Sequence, residues 1–355
     1  MRDISLYFHI PFCKARCNYC DFYSSTDKYG LAADYVNALK EEFSSYDLKD
    51  YNIKSIFVGG GTPSSIDHSH ICEILELCSS PETTIEANPG TLSKEKLIAY
   101  KSCGVNRISM GLQVWQNHLL KKLGRIHDTE TFVENYKLAQ SVGFNNINID
   151  LIFGIPGQTI GDWAETLENV VALQPTHLSC YSLMIEEGTP FASLTPIDDE
   201  TDRQMYDMAI KTLTGSGFKH YEISNFAKPG FESVHNLNYW KCGEYLGFGA
   251  AAHSYFNSMR FGNVSSLEEY ISRISKGLSP IESSEEIDTD EARKEFMILG
   301  LRLIDGVAIN EDILRVYGSQ IDKLISQGLL QRKGDRIILT RKGLDVANQV
   351  FVEFV

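Results

Sequence analysis

The sequence has no long hydrophobic run and no excess of basic residues. No stretch of 18 apolar residues occurs in its 355 residues, which excludes a membrane-spanning helix. Lysine and arginine together number 33, against 47 aspartates and glutamates. The resulting net charge of −14 argues against nucleic acid or an anionic membrane surface as a general partner. With 43% hydrophobic and 23% charged residues, the chain has the composition of a globular protein with a large domain and a small one.

Cysteine is scarce outside one short segment. Five of the eight cysteines are scattered along the chain, and we expect them to be small core residues: Cys72, Cys78, Cys103, Cys180 and Cys242. The other three lie together in "HIPFCKARCNYCDFY", with the spacing C-x3-C-x2-C: Cys13, Cys17 and Cys20. Only eight residues precede this segment, too few for a signal peptide, so we expect a cytoplasmic protein whose thiols stay reduced.

Three neighbouring thiolates indicate a metal centre with one position left open. A closed zinc site usually needs four ligands, and His9 is the nearest candidate for the fourth. A 4Fe–4S cluster held by three cysteines fits the spacing better and leaves one iron free for another ligand. Tyr19, directly before the last cysteine, could offer an aromatic face to that ligand.

Short β-branched runs alternate with longer amphipathic stretches as far as about residue 225. Six such units predict an α/β fold with a parallel sheet covered by helices. Periodicity alone does not distinguish a doubly wound sheet from an incomplete (β/α) barrel, but both have their active sites beyond the carboxyl ends of the strands. The unusual segments "GGGTP", "EANPG", "GLQ" and "DLIFGIPGQT" all lie at predicted strand ends.

The rest of the chain divides into two parts. Residues 226–289 form a less regular connecting segment that contains "HNLNYW" and ends in the acidic "IESSEEIDTDE". Residues 290–355 read as two helices, a hairpin and a last helix, an order typical of winged-helix domains. Lysine and arginine are not massed on one helix there, so we do not expect the domain to bind DNA.

Several motifs resemble, in order, the radical S-adenosylmethionine (SAM) superfamily, in the branch related to oxygen-independent coproporphyrinogen III oxidase. They are "YFHIPFC", "FVGGGTPS", "IEANPG", "NRISMGLQ", "LGRIH", "NIDLIFGIPGQT", "YEISNFAKPG" and "HNLNYW". The resemblance covers nearly the whole chain. It implies an incomplete (β/α)6 barrel with a small winged-helix-like C-terminal domain, and a 4Fe–4S cluster whose open iron is chelated by SAM.

The resemblance also implies a set of SAM contacts. Three consecutive glycines before Thr62 suggest backbone brought close to a ligand, and by resemblance Gly60, Gly61 and Thr62 pack against the amino end of SAM. Asp150 is a natural acceptor for a ribose hydroxyl. The remaining predicted SAM contacts are Tyr7, Tyr19, Glu86, Gln113, Arg125, Met184 and Ala251.

"HNLNYW" gathers His235 with a tyrosine and a tryptophan. Imidazole is a common haem ligand and aromatic rings suit a porphyrin face. In haem chaperones of this branch the motif is implicated in haem binding, so His235 is the predicted haem ligand. Such chaperones carry haem to membrane-bound respiratory proteins.

The oxidases of the branch are the alternative. They decarboxylate two propionates of coproporphyrinogen III, a reaction that begins with a 5′-deoxyadenosyl radical. Their cysteine segment continues with a further cysteine where this chain has Phe22, and they carry an N-terminal extension that this sequence lacks. These departures and "HNLNYW" favour the haem chaperone, without coproporphyrinogen oxidase activity.

Overall fold

Six parallel strands form the middle of a twelve-stranded sheet in the computed structural model, which describes residues 1–355. The strands are β1 Arg2–Ile10, β2 Tyr51–Gly60, β3 Glu82–Ala87, β4 Arg107–Gln113, β5 Asn146–Phe153 and β6 His177–Ser182. They pair in sequence order, each parallel to the next. This confirms the predicted α/β fold of six β/α units.

Seven helices connect these strands and cover the sheet. They are α1 Ala32–Ser44, α2 His68–Leu75, α3 Lys94–Ser102, α4 Asn117–Lys122, α5 Thr129–Val142, α6 Ile160–Ala172 and α7 Asp199–Gly215. Local sequence explains where several begin: at α6, for example, Thr159 and Asp162 form a reciprocal capping box. The apolar faces of the helices and sheet enclose one core of 50 buried residues, which includes the fully buried Trp163.

The sheet continues at both edges beyond the six parallel strands. Next to β6 lie two short antiparallel strands, β7 Lys219–Glu222 and β8 Asn225–Ala227. The chain then returns through α8 Val234–Trp240 to the opposite edge, where β9 Tyr245–Phe248 pairs parallel to β1. Three antiparallel strands and one helix follow: β10 His253–Phe256, β11 Met259–Asn263, α9 Leu267–Ser275 and β12 Ile281–Glu286. Much of the connecting segment 226–289 is therefore part of the main sheet.

The C-terminal region has a sheet and a core of its own. Its elements are α10 Thr289–Gly300, β13 Val307–Ala308, α11 Glu311–Ser326, β14 Leu330–Lys333, β15 Arg336–Leu339, α12 Arg341–Asp345 and α13 Ala347–Val352. The strands form an antiparallel sheet of order β13-β15-β14, and 13 buried residues form the core. Two helices followed by a hairpin are the predicted winged-helix-like order. No helix in the protein has both the length and the apolar character needed to cross a membrane.

Candidate functional site

The cysteine segment is a loop that leaves β1 and is held across the carboxyl ends of the strands. The Cys13 amide donates to the Ser25 carbonyl over 2.9 Å, and the Asn18 amide donates to the Leu123 carbonyl over 2.9 Å. All three cysteines are half-buried and unpaired: Cys13, Cys17 and Cys20. Backbone hydrogen bonds thus fix the loop at its start and middle, while the three cysteines stay partly exposed.

The three thiols are not arranged as the ligands of a single metal ion. No three His, Cys, Asp or Glu side chains converge on one point as the ligands of one ion would. The zinc alternative also lacks its fourth ligand, because the ring nitrogens of His9 are bonded to the Tyr7 hydroxyl (2.9 Å) and the Tyr23 carbonyl (3.1 Å). A 4Fe–4S cubane binds three thiolates on three different irons, so its ligands need not share a point.

Burial and mutual repulsion act on these thiols. Burial raises the pKa of Cys13 and of Cys20, and in both cases the negative charge of Cys17 raises it further. Two groups at the strand ends contact the sulfurs: the Thr62 hydroxyl lies 3.4 Å from Cys13 Sγ, and Arg125 Nη1 lies 3.5 Å from Cys17 Sγ. Arg125 therefore places a positive charge directly beside the Cys17 sulfur.

Packing within the protein itself explains the glycines at Gly60, which ends β2, and Gly61, which follows it. The Gly61 amide donates to the Ile10 carbonyl, and a Cβ at Gly61 would lie 2.9 Å from the backbone of Ile10 and Phe12. Gly60 has a φ of +109°, and its Cβ would lie 2.4 Å from the His9 ring. The glycines therefore let the start of the cysteine loop lie directly against β2, and contact of Gly60 and Gly61 with SAM stays a prediction.

Two acidic side chains lie on the strands behind the loop. Glu86 accepts a 2.9 Å hydrogen bond from the Gly60 amide, and burial, with a smaller contribution from the Asp150 charge, raises its pKa to about 8. Asp150 accepts hydrogen bonds from Ser109 Oγ (3.0 Å) and Asn148 Nδ2 (2.7 Å), and burial raises its pKa too. Both carboxyl groups are thus held in place with unused acceptor capacity.

Arg125 links the cysteine loop to the strand ends. Its Nη2 donates to the Gly111 carbonyl (2.7 Å) and to Asn88 Oδ1 (2.6 Å), and Asn88 in turn donates to Thr62 Oγ1 (2.7 Å). The sequence did not single out Asn88, although it lies two residues after Glu86 in "EANPG". His127, also not predicted, lines the small cavity beside Cys17, and its buried Nε2 has no hydrogen-bond partner.

The other predicted SAM contacts are spread along the same edge. Gln113, buried and with a φ of 76°, ends β4 beside Arg125. Tyr19 packs against a small hydrophobic cluster, as does Leu183, which follows β6. Met184 follows β6 and is 69% exposed, so it is the least enclosed of the set.

A second, larger opening lies on the other side of Gly60, between the strand ends and β9–β10. We call it the aromatic cleft; its lining residues are Tyr7, His9, Phe22, Tyr23, Gly60, Glu86, Tyr239, Tyr245, Ala251, Ala252 and His253. Tyr7, Glu86 and Ala251, predicted as SAM contacts, lie together there. Phe22, which stands where the oxidases have a cysteine, is 66% exposed at this cleft.

His235 lies behind the cleft and has no free ring nitrogen. Its Nδ1 is 2.9 Å from Ser55 Oγ and its Nε2 is 2.9 Å from the Tyr239 hydroxyl. The side chain is buried, and that burial lowers its pKa to about 3. The predicted role as a haem ligand would require Nε2 to release Tyr239. The motif residue that does line the cleft is Tyr239.

Comparison with known proteins agrees with this architecture. The model of the Radical SAM superfamily matches residues 7–170, and that of the HemN C-terminal domain matches residues 287–346. The heme chaperone HemW of Bacillus subtilis (strain 168) is 36% identical, with 99% of each chain covered. HemW of Lactococcus lactis subsp. lactis (strain IL1403) is 37% identical, covering 99% of this chain and 97% of its own. HemW of Escherichia coli (strain K12) is 34% identical, and the match covers 99% of this chain and 98% of that relative.

A solved structure shares the fold over nearly the whole chain. Coproporphyrinogen III oxidase (HemN) from Escherichia coli, described as a radical SAM enzyme, superposes with a TM-score of 0.86 and covers 99% of this chain and 90% of its own. At 23% identity this likeness shows the fold alone, and it confirms the predicted incomplete (β/α)6 barrel of the radical SAM type. Taken with the full-length relatives at 34–37% identity, it leads to one conclusion: the chain belongs to the HemW family of the radical SAM superfamily.

Proposed function

We propose that this protein is a haem chaperone that holds a 4Fe–4S cluster and SAM at the strand ends and delivers haem to a membrane-bound haem-receiving protein. The proposal rests on the cysteine loop, whose sulfurs are contacted by Thr62 and Arg125. The loop lies at the same sheet edge as the carboxyl groups of Glu86 and Asp150, which have free hydrogen-bond acceptor sites. The full-length relatives are named heme chaperones, which supports the choice of cargo.

The cluster would be held by the three thiolates of Cys13, Cys17 and Cys20, and its open iron would bind SAM. Arg125 would keep the loop against the strand ends through its contact with the Cys17 sulfur. Asp150 would accept a hydrogen bond from a ribose hydroxyl, and Glu86 would face a positively charged part of SAM. Thiolate ligation needs reduced cysteines, so we assign this function to the cytoplasm.

The remaining SAM contacts extend this arrangement. Gly60, Gly61 and Thr62 would border the amino end of SAM, with Tyr7 on the cleft side. The more peripheral contacts would come from Tyr19, Gln113, Met184 and Ala251. Haem would bind near the "HNLNYW" segment, where Tyr239 faces the aromatic cleft and His235 holds the Tyr239 hydroxyl.

Anaerobic reconstitution followed by haem titration tests the proposal. The protein should bind about four irons and four sulfides as one cluster, and about one haem per chain with a protein-ligated absorption spectrum. With SAM and a reductant present, it should release no carbon dioxide from coproporphyrinogen III above background. Robust decarboxylation without haem binding would make the oxidase the correct function.

His235→Ala should weaken haem binding or change the haem spectrum, while the iron content of the cluster stays the same. The matched control is His118→Ala, which removes an exposed histidine on α4, outside both cavities. Equal loss of haem in both variants would show that the effect is not specific to the motif.

A further inference from the structure

The histidines of this protein differ sharply in whether a ring nitrogen is available. Of the nine, His9, His177 and His235 have both nitrogens in hydrogen bonds. Only two histidines line the aromatic cleft, His9 and His253. His253 is exposed, and neither of its ring nitrogens has a hydrogen-bond partner within the protein. Of the two imidazoles that line the cleft, His253 is therefore the one with a free ring nitrogen that could bind a metal.

The backbone gives His253 a defined place. It begins β10 and lies opposite Gly262 of β11 in the antiparallel register. A Cβ at Gly262 would come within 2.9 Å of His253 Cε1 and 3.0 Å of its Nδ1, so glycine there leaves room for the ring beside β11. Nε2 lies farther from that Cβ position than Cε1 and Nδ1 do. The ring thus lies beside Gly262, and neither of its nitrogens is used in a hydrogen bond within the protein.

The walls near this imidazole are aromatic. Tyr239 and Tyr245 pack edge to face, with ring centroids 4.7 Å apart at 89°. Phe22 leaves 66% of its surface exposed at the same opening. An exposed phenylalanine beside two tyrosine rings is a surface that a large flat apolar ligand would cover.

The charge in the cleft also suits an apolar ring system. Glu86 is the one acidic residue in the lining, and the proposed function assigns it to SAM. No lysine or arginine lines the cleft. Uncharged aromatic walls with one free imidazole at the rim match the chemistry of a metalloporphyrin.

We propose that His253, and not His235, supplies the axial ligand of the haem iron, with the porphyrin lying against Phe22, Tyr239 and Tyr245. In this arrangement His235 is a positioning residue that holds the Tyr239 hydroxyl from behind. The inference rests on the proposed haem chaperone function and names the ligand that the function needs. Because the predicted SAM contacts Tyr7, Glu86 and Ala251 line the same cleft, the haem would lie next to bound SAM.

The test is a haem titration of the anaerobically reconstituted protein, read by absorption and electron paramagnetic resonance. His253→Ala should bind haem at least tenfold more weakly and lose the spectrum of histidine-ligated iron, with unchanged cluster iron content. Free imidazole added to His253→Ala should restore that spectrum. Tyr239→Phe, which removes the hydroxyl bound by His235, should lower the affinity but keep histidine ligation.

The possible failures are distinguishable. An unchanged histidine-ligated spectrum in His253→Ala, with its loss in His235→Ala, would overturn the ligand assignment and leave the chaperone function standing. Absence of haem binding by the unsubstituted protein would overturn the proposed function and, with it, this inference. The control His118→Ala should behave like the unsubstituted chain, and a matching loss there would also count against His253.

Discussion

Glu86 gives a pH dependence of stability that can be worked out from the structure. Its pKa is about 8 in the folded protein, against an ordinary value of 4.5 for glutamate. Between these two values the unfolded chain releases a proton that the folded chain retains, so the free energy of unfolding falls as the pH rises. Between the two pKa values the free energy of unfolding falls by about 1.4 kcal/mol per pH unit. At pH 8 the total loss of stability has an upper limit of roughly 4 kcal/mol.

Exposure of Glu86 to the aromatic cleft reduces this upper limit of the stability change. Glu86 is only partly enclosed, so water in the cleft stabilises its charged form, and we take about half of the limit, roughly 2 kcal/mol at pH 8. Glu86→Gln keeps an oxygen for the 2.9 Å hydrogen bond from the Gly60 amide and removes the titration. The variant should therefore match the unsubstituted protein near pH 4.5 and become progressively more stable than it toward pH 8.

The assay is thermal unfolding of cluster-free protein at a series of pH values, with Glu95→Gln on the exposed face of α3 as control. The melting temperature of Glu86→Gln relative to the unsubstituted chain should rise by a few degrees between pH 5 and 8, and that of the control should not. A stability difference independent of pH would refute the raised pKa of Glu86. In SAM titrations, affinity should increase with pH more steeply for the unsubstituted protein than for Glu86→Gln.

Three further outcomes are expected from the site. Alanine in place of Cys78 should leave the 4Fe–4S content intact, whereas iron analysis should find the cluster lost when any one ligand is replaced: Cys13, Cys17 or Cys20. Asp150→Ala should weaken SAM binding by roughly 1.5–3 kcal/mol in calorimetry while the cluster survives, since a charge-assisted hydrogen bond is lost; unchanged affinity would contradict the assignment. Gly61→Ala should lower the iron content because its Cβ would lie 2.9 Å from the cysteine-loop backbone, but Gly215→Ala, with open space around it, should not.

The features that could be predicted from the sequence are those determined by residues close together along the chain. The six β/α units follow from periodicity along neighbouring residues, and Cys13, Cys17 and Cys20 follow from spacing within one loop. Arg125 and Asp150 were predicted by motif, and the structure does bring Arg125 to Cys17 and Asp150 to the strands behind it.

The parts that could not be predicted depend on distant contacts. The hydrogen bond at His235 Nδ1 comes from Ser55, 180 residues away, and no local pattern predicts that contact. Asn88 bridges Thr62 and Arg125 from separate loops, and its type alone is typical of a turn. His253 is recognisable only once its free ring is seen against Gly262 and the aromatic cleft.

The pairing of β9 with β1 has a consequence for how the chain must be made. Ser5 lies opposite Tyr245 in this parallel pair, so one edge of the first strand stays unpaired until some 240 residues have been synthesised. Contacts this far apart along the chain form slowly, and an unpaired strand edge is a template for wrong pairing between chains. A fragment ending at residue 225 would leave that edge open permanently. We therefore expect it to aggregate, even though it contains all six β/α units and every cysteine of the cluster loop.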